Sequence, residues 1–114
     1  MRQLDLSKSE KIPEVTSIEV IKESPDSYNL YVEIANWTFT PENTGGPTVA
    51  NQGHAHVFID GRKAGRMYGN WFHLGALKPG SHQIAITLNG NDHTDFIAND
   101  KLLGGETSIT VTGE

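Results

Sequence analysis

Tyr28-Asn29-Leu30-Tyr31-Val32-Glu33-Ile34-Ala35 alternates without a break, with Leu30, Val32 and Ile34 on one side and Tyr31 and Glu33 on the other. Side chains two residues apart share a face when the backbone is extended, so this octet reads as a β-strand with one buried face. The same period of two continues outward. Upstream, Val15-Thr16-Ser17-Ile18-Glu19-Val20 reads as a strand with Ile18 and Val20 inward, joined through the turn residues Ser24-Pro25-Asp26-Ser27. Downstream the phase slips at Asn36, because Trp37 and Phe39 take the opposite parity. A bulge or bend near Ala35-Asn36 accounts for that slip.

After a long Pro41–Gly53 loop rich in Gly, Asn, Thr and Pro, alternation resumes in Gly53-His54-Ala55-His56-Val57-Phe58-Ile59-Asp60-Gly61. Loops of that length are often functional. Asp60-Gly61 is a hairpin signal leading into Lys63–Tyr68. Pro79-Gly80 turns the chain into His82–Leu88, with Ile84, Ile86 and Leu88 inward, and Asn89-Gly90-Asn91-Asp92 forms another loop. Phe96–Leu103 reads as irregular or weakly extended, Gly104-Gly105 as a turn, and Thr107–Thr112 as a closing strand with Ile109 and Val111 inward. No segment carries a helical apolar stripe of useful length. The expected fold is all-β, an antiparallel β-sandwich of about seven strands in the immunoglobulin or fibronectin type III manner. Residues 1–13 are polar and end at Pro13, so they read as a loose arm or irregular edge segment, with 14–114 as a single sandwich domain.

A chain of 114 residues suits one domain with one modest core. Its 36% hydrophobic and 20% charged content is that of a folded soluble protein, not a disordered one. The net charge of −5 argues against nucleic acid as a partner, and the local cluster Arg62, Lys63 and Arg66 reads as a solvated hairpin tip. The absence of cysteine excludes disulfides, thiolate ligands and a cysteine nucleophile. No apolar run approaches membrane-spanning length, and the first residues lack the apolar core of a signal peptide. The chain therefore reads either as cytosolic or as a mature exported segment behind an added Met1.

The sharpest chemical feature is the histidine distribution. His54 and His56 lie two apart on one strand and project from the same side, about 6.6 Å apart at the backbone. Ala55, Val57 and Ile59 are the natural core residues of that strand, which places the two histidines on a face that need not be buried. His73 in Trp71-Phe72-His73 and His93 in Asn91-Asp92-His93 bring four of the five histidines into three compact motifs. Neutral imidazoles on a rigid strand suit zinc or copper(II). His73 and His93 are candidates to complete the set, with Asp92, Asp95 and Glu42 as alternative ligands or as acceptors behind the histidines. The competing readings are a hydrogen-bonded cluster that braces loops and an unrelated ligand site. His82 shares the parity of Ile84 and Ile86 and reads as a satisfied edge histidine outside the site.

Trp37, Tyr68, Trp71 and Phe72, with Phe39, can form an aromatic wall beside the histidines, or can simply be core and loop anchors. Catalytic patterns are absent: no Gly-x-Ser-x-Gly, no phosphate-binding glycine loop, and no paired carboxylates. Turnover is therefore not the expected role, although an open histidine-bound metal leaves a hydrolase or oxidase conceivable.

Gly53–His56, Asp60-Gly61, Tyr68–Leu74, Leu77–His82 and Leu88–His93 together resemble a group of small bacterial exported domains with the pattern Gly-His-Ala-His, Tyr-Gly-x-Trp-Phe-His-Leu, Leu-x-Pro-Gly-x-His and Leu-Asn-x-Asn-Asp-His. The likeness covers about residues 28–112. Trp37-Thr38-Phe39-Thr40-Pro41-Glu42 is similar to a strand of cupredoxins, but blue copper needs a cysteine thiolate, which this chain lacks. The resemblance implies a periplasmic or secreted setting and the handling of copper or zinc. The expected function is thus a small extracytoplasmic metal-binding domain. The alternative is a non-enzymatic interaction module whose His and Asn residues only brace loops around an aromatic surface. Edge strands permit a homodimer or a protein partner.

Overall fold

A computed structural model describes residues 3–112. Its strands are, in chain order, β1 (Gln3–Asp5), β2 (Glu14–Ser24), β3 (Ser27–Ala35), β4 (Thr38–Phe39), β5 (Gln52–Ile59), β6 (Arg62–Met67), β7 (Trp71–Gly75), β8 (Gly80–Asn89), β9 (Asp95–Ala98), β10 (Lys101–Leu102) and β11 (Gly104–Val111). The all-β expectation holds, and the only helical element among the described residues is a 3-10 turn at Pro41–Asn43. No helix there is long and apolar enough to cross a membrane.

The strands form two sheets. β2, β3 and β7 make a three-stranded antiparallel sheet, and the other eight make a larger one. Within the larger sheet β5 lies between β6 and β8, while β8 also pairs with β11 along its length and with β9 at its end. Among the described residues eleven strands stand where about seven were expected. The surplus comes from β7 and from the short edge pairings of β1, β4 and β10, which alternation over a few residues cannot announce. Two of these depart from an antiparallel plan, since β1–β9 and β4–β5 run parallel. This pairing pattern does not establish an immunoglobulin or fibronectin arrangement.

The core follows from the alternation. Leu30 and Val32 of β3, Ala55 and Val57 of β5, and Ile84, Ile86 and Leu88 of β8 are buried in one cluster with Met67 and Phe96. The phase slip is real: Asn36 adopts φ 60°, and the chain leaves the β2–β3 sheet to pair β4 with β5. Asp60 and Gly61, at φ 52° and 82°, make the expected tight turn between β5 and β6.

Three local readings change. The stretch expected as a loose arm or irregular edge segment carries β1 alongside β9, and Leu6 is buried in the core. Phe96–Leu103, expected to be irregular or weakly extended, is extended and contains most of the β9–β10 hairpin, turned by Asn99 and Asp100 at φ 53° and 64°. Gly104-Gly105 is not a turn but the start of β11. A Cβ on Gly104 would lie 2.0 Å from the Ile86 carbonyl oxygen, so the glycine is required for close backbone approach and not for reversal.

Candidate metal centre

Register across the larger sheet sets the site. His54 and His56 share a face of β5; Asn89 and Thr87 of β8 lie opposite them on one flank, and Arg66 of β6 lies opposite His56 on the other. Directly opposed residues of an antiparallel pair point to the same side, so these side chains form one polar row on the face away from Ala55 and Val57. The parity expected from sequence is right, but the exposure is not. His54 is fully buried and His56 is 9% exposed. The 89–95 loop and Tyr68 lie over them: the His93 ring is 5.0 Å from that of His54 and 5.8 Å from that of His56, and the Tyr68 ring is 5.6 Å from His54. That cover comes from distant segments, which a local pattern does not encode.

The ligand atoms of His54, His56 and His93 all lie within 4.8 Å of one another. His54 and His56 meet Nε2 to Nε2 at 3.2 Å, so without an ion one ring donates the proton that the other accepts. Burial, then the charge of His56, lowers the His54 pKa to about 4. Burial, then the charge of Lys63, does the same for His56. Both rings are therefore neutral at pH 7, the form that binds metal. His54 Nδ1 is buried without a hydrogen-bond partner. This departs from the usual arrangement in which a metal-bound histidine donates from its second nitrogen.

The loop that carries His93 is tied down. Asp92 accepts from the Thr48 hydroxyl and, at 3.1 and 2.6 Å, from the Thr94 amide and hydroxyl. Gly45 donates to the Asn91 carbonyl at 2.8 Å, and His93, at φ 69°, donates its amide to Gly90 at 2.9 Å. Asp95 accepts from Asn89 at 2.6 Å, which in turn accepts from Thr87 at 3.0 Å. Asp92 and Asp95 thus brace the loop and the sheet row, and neither belongs to the three-histidine group.

The remaining candidates disperse. His73 lies on β7 in the smaller sheet, exposed and 2.9 Å from Asn29 Oδ1, outside the group. Glu42 is exposed on the 3-10 turn. Of the expected aromatic wall only Tyr68 stands beside the histidines. Trp37 packs edge-on to Phe39 and Phe96, Phe72 packs on the core, and Trp71 is 59% exposed against Tyr31. His82 is satisfied at its edge by Asp60 and the Lys78 carbonyl, both at 2.7 Å. Sequence reading missed Arg66 and Asn89 as neighbours of the cluster, because only the inter-strand register brings them there.

Fold and site together define an all-β protein with a buried histidine pair and a third histidine on the covering loop. No family model, no curated protein and no solved structure matches the chain.

Proposed function

We propose that this protein binds a divalent transition metal, zinc or copper, through His54, His56 and His93. The role is metal handling and not turnover. The observation that carries this reading is the convergence of three imidazoles, their ligand atoms within 4.8 Å of one another. Two nitrogens 3.2 Å apart and each about 2.05 Å from a shared ion subtend roughly 103° there. A tetrahedral site asks for about 109° and a square-planar one for about 90°. The angle lies between the two, so the spacing suits a shared ion of either kind. His93, exposed on its loop, is the third ligand. The extracytoplasmic setting belongs to this reading on the resemblance of residues 28–112 alone.

The test is calorimetric titration of the metal-free chain with zinc and with copper(II). One ion per chain, with binding abolished by His56→Ala and weakened by His93→Ala, is the expected result. Binding no tighter than that of an exposed histidine pair removes the proposal. The bracing alternative has its own observation, since the His54–His56 contact is already a hydrogen bond. It requires His56→Ala and His93→Ala both to lower stability with or without metal, by about 1–3 kcal/mol.

A further inference from the structure

Three neutral imidazoles leave a bound divalent ion its full charge, and among the described residues no carboxylate joins them. What faces the cluster instead is positive. Arg66 is the register partner of His56 and so points to the same side of the sheet. Its Nη1 donates to Tyr68 Oη at 3.2 Å, and the Tyr68 ring lies 5.6 Å from that of His54. Tyr68 thus tethers the guanidinium beside the histidines. Arg66 has no carboxylate partner among the described residues, so the rest of its fork is available. The charges of Arg66 and Lys63 both act on His54 and His56. A divalent cation seated here, beside Arg66 and Lys63, calls for a negative fourth ligand.

Resting on the metal-binding reading, we infer that the site takes a small carboxylate as its fourth ligand, one oxygen on the ion and the other accepting from Arg66. The planar guanidinium matches a carboxylate better than a spherical anion. Access limits the ligand's size. His54 and His56 are buried, and the exposed residues around them are Tyr68, Arg66 and His93.

The experiment measures zinc affinity of the full chain by calorimetry in sodium chloride and in sodium acetate at equal ionic strength, corrected for zinc–acetate association. Acetate is expected to tighten zinc binding roughly tenfold or more, the size of one hydrogen bond to a charged group. Arg66→Gln, with one neighbouring cation removed, should bind zinc in chloride at least as tightly as the parent does and lose the acetate gain, while Arg66→Lys keeps part of it. Equal affinity in both salts overturns the carboxylate position and leaves the metal site standing. So does an acetate gain undiminished in Arg66→Gln. No zinc binding in either salt removes both readings.

Discussion

His54 and His56 meet Nε2 to Nε2 at 3.2 Å beneath Tyr68 and His93, on the face of β5 opposite its core residues. β5 is therefore buried on both sides, apolar on one and polar on the other. Two imidazoles in contact out of water are held neutral, and that has a consequence for acid stability.

Both pKa values fall to about 4 in the folded chain, chiefly through burial, against about 6.5 unfolded. Between these limits the unfolded chain binds more protons, so protonation favours unfolding. Stability of the metal-free protein should fall as pH drops from about 6.5 to about 4, with no further loss from this pair below that. Thermal unfolding across this range checks it, and the slope should shrink in His56→Gln. A flat profile in the parent would mean that the rings are solvated.

His82 behaves in the opposite sense. Its hydrogen bonds to Asp60 and to the Lys78 carbonyl raise its pKa, and the His82 contact lowers that of Asp60. The His82 contribution is complete below about pH 6.5 and disappears as pH rises through the folded value. The Asp60 contribution is present above its unfolded pKa and is lost as pH falls through the lowered one. In an NMR titration His82 should titrate above the usual histidine midpoint while His54 and His56 titrate below it. Asp60→Ala should bring His82 back down and leave the other two in place.

These two outcomes bear on what the sequence reveals. Period-two patterning identified Leu30, Val32, Val57, Ile84 and Ile86 as core, and all are buried. The same parity paired His54 with His56, because side-chain direction is a local property of a strand. Burial of that pair is not local. It depends on Asn89, Tyr68 and the 89–95 loop arriving from elsewhere. His73 shares a motif with two aromatics, yet β7 joins the other sheet. One missed element had a readable signal. Asn99-Asp100 is a pair that tolerates positive φ, and it turns the β9–β10 hairpin.

Gly53 fixes how closely β5 approaches β8 at the site. A Cβ there would stand 2.0 Å from the Asn89 carbonyl oxygen, at φ +151°. Nothing lies within 4 Å of a Cβ at Gly45 or Gly61. Gly53→Ala combines backbone strain with overpacking and should cost about 2–5 kcal/mol. Gly45→Ala carries the strain alone and should cost about 1–3 kcal/mol. Chemical denaturation of the two variants decides it, and equal losses would show that the close approach carries no weight.

The last relationship is between Asp92 and His93. Asp92 is anchored by Thr48 and Thr94, which fixes the turn that presents His93 above the buried pair. In Asp92→Ala the loop loses that anchor, while His54 and His56 keep their places on β5. If His93 completes the metal set, zinc affinity should drop about 10- to 100-fold, as expected when a group orienting a ligand is removed. His93→Ala should drop it at least as far, and the double variant should add little, because both changes remove one and the same ligand. A double variant whose losses sum fully would assign Asp92 a separate part in binding, and unchanged affinity in His93→Ala would reduce the centre to the β5 pair.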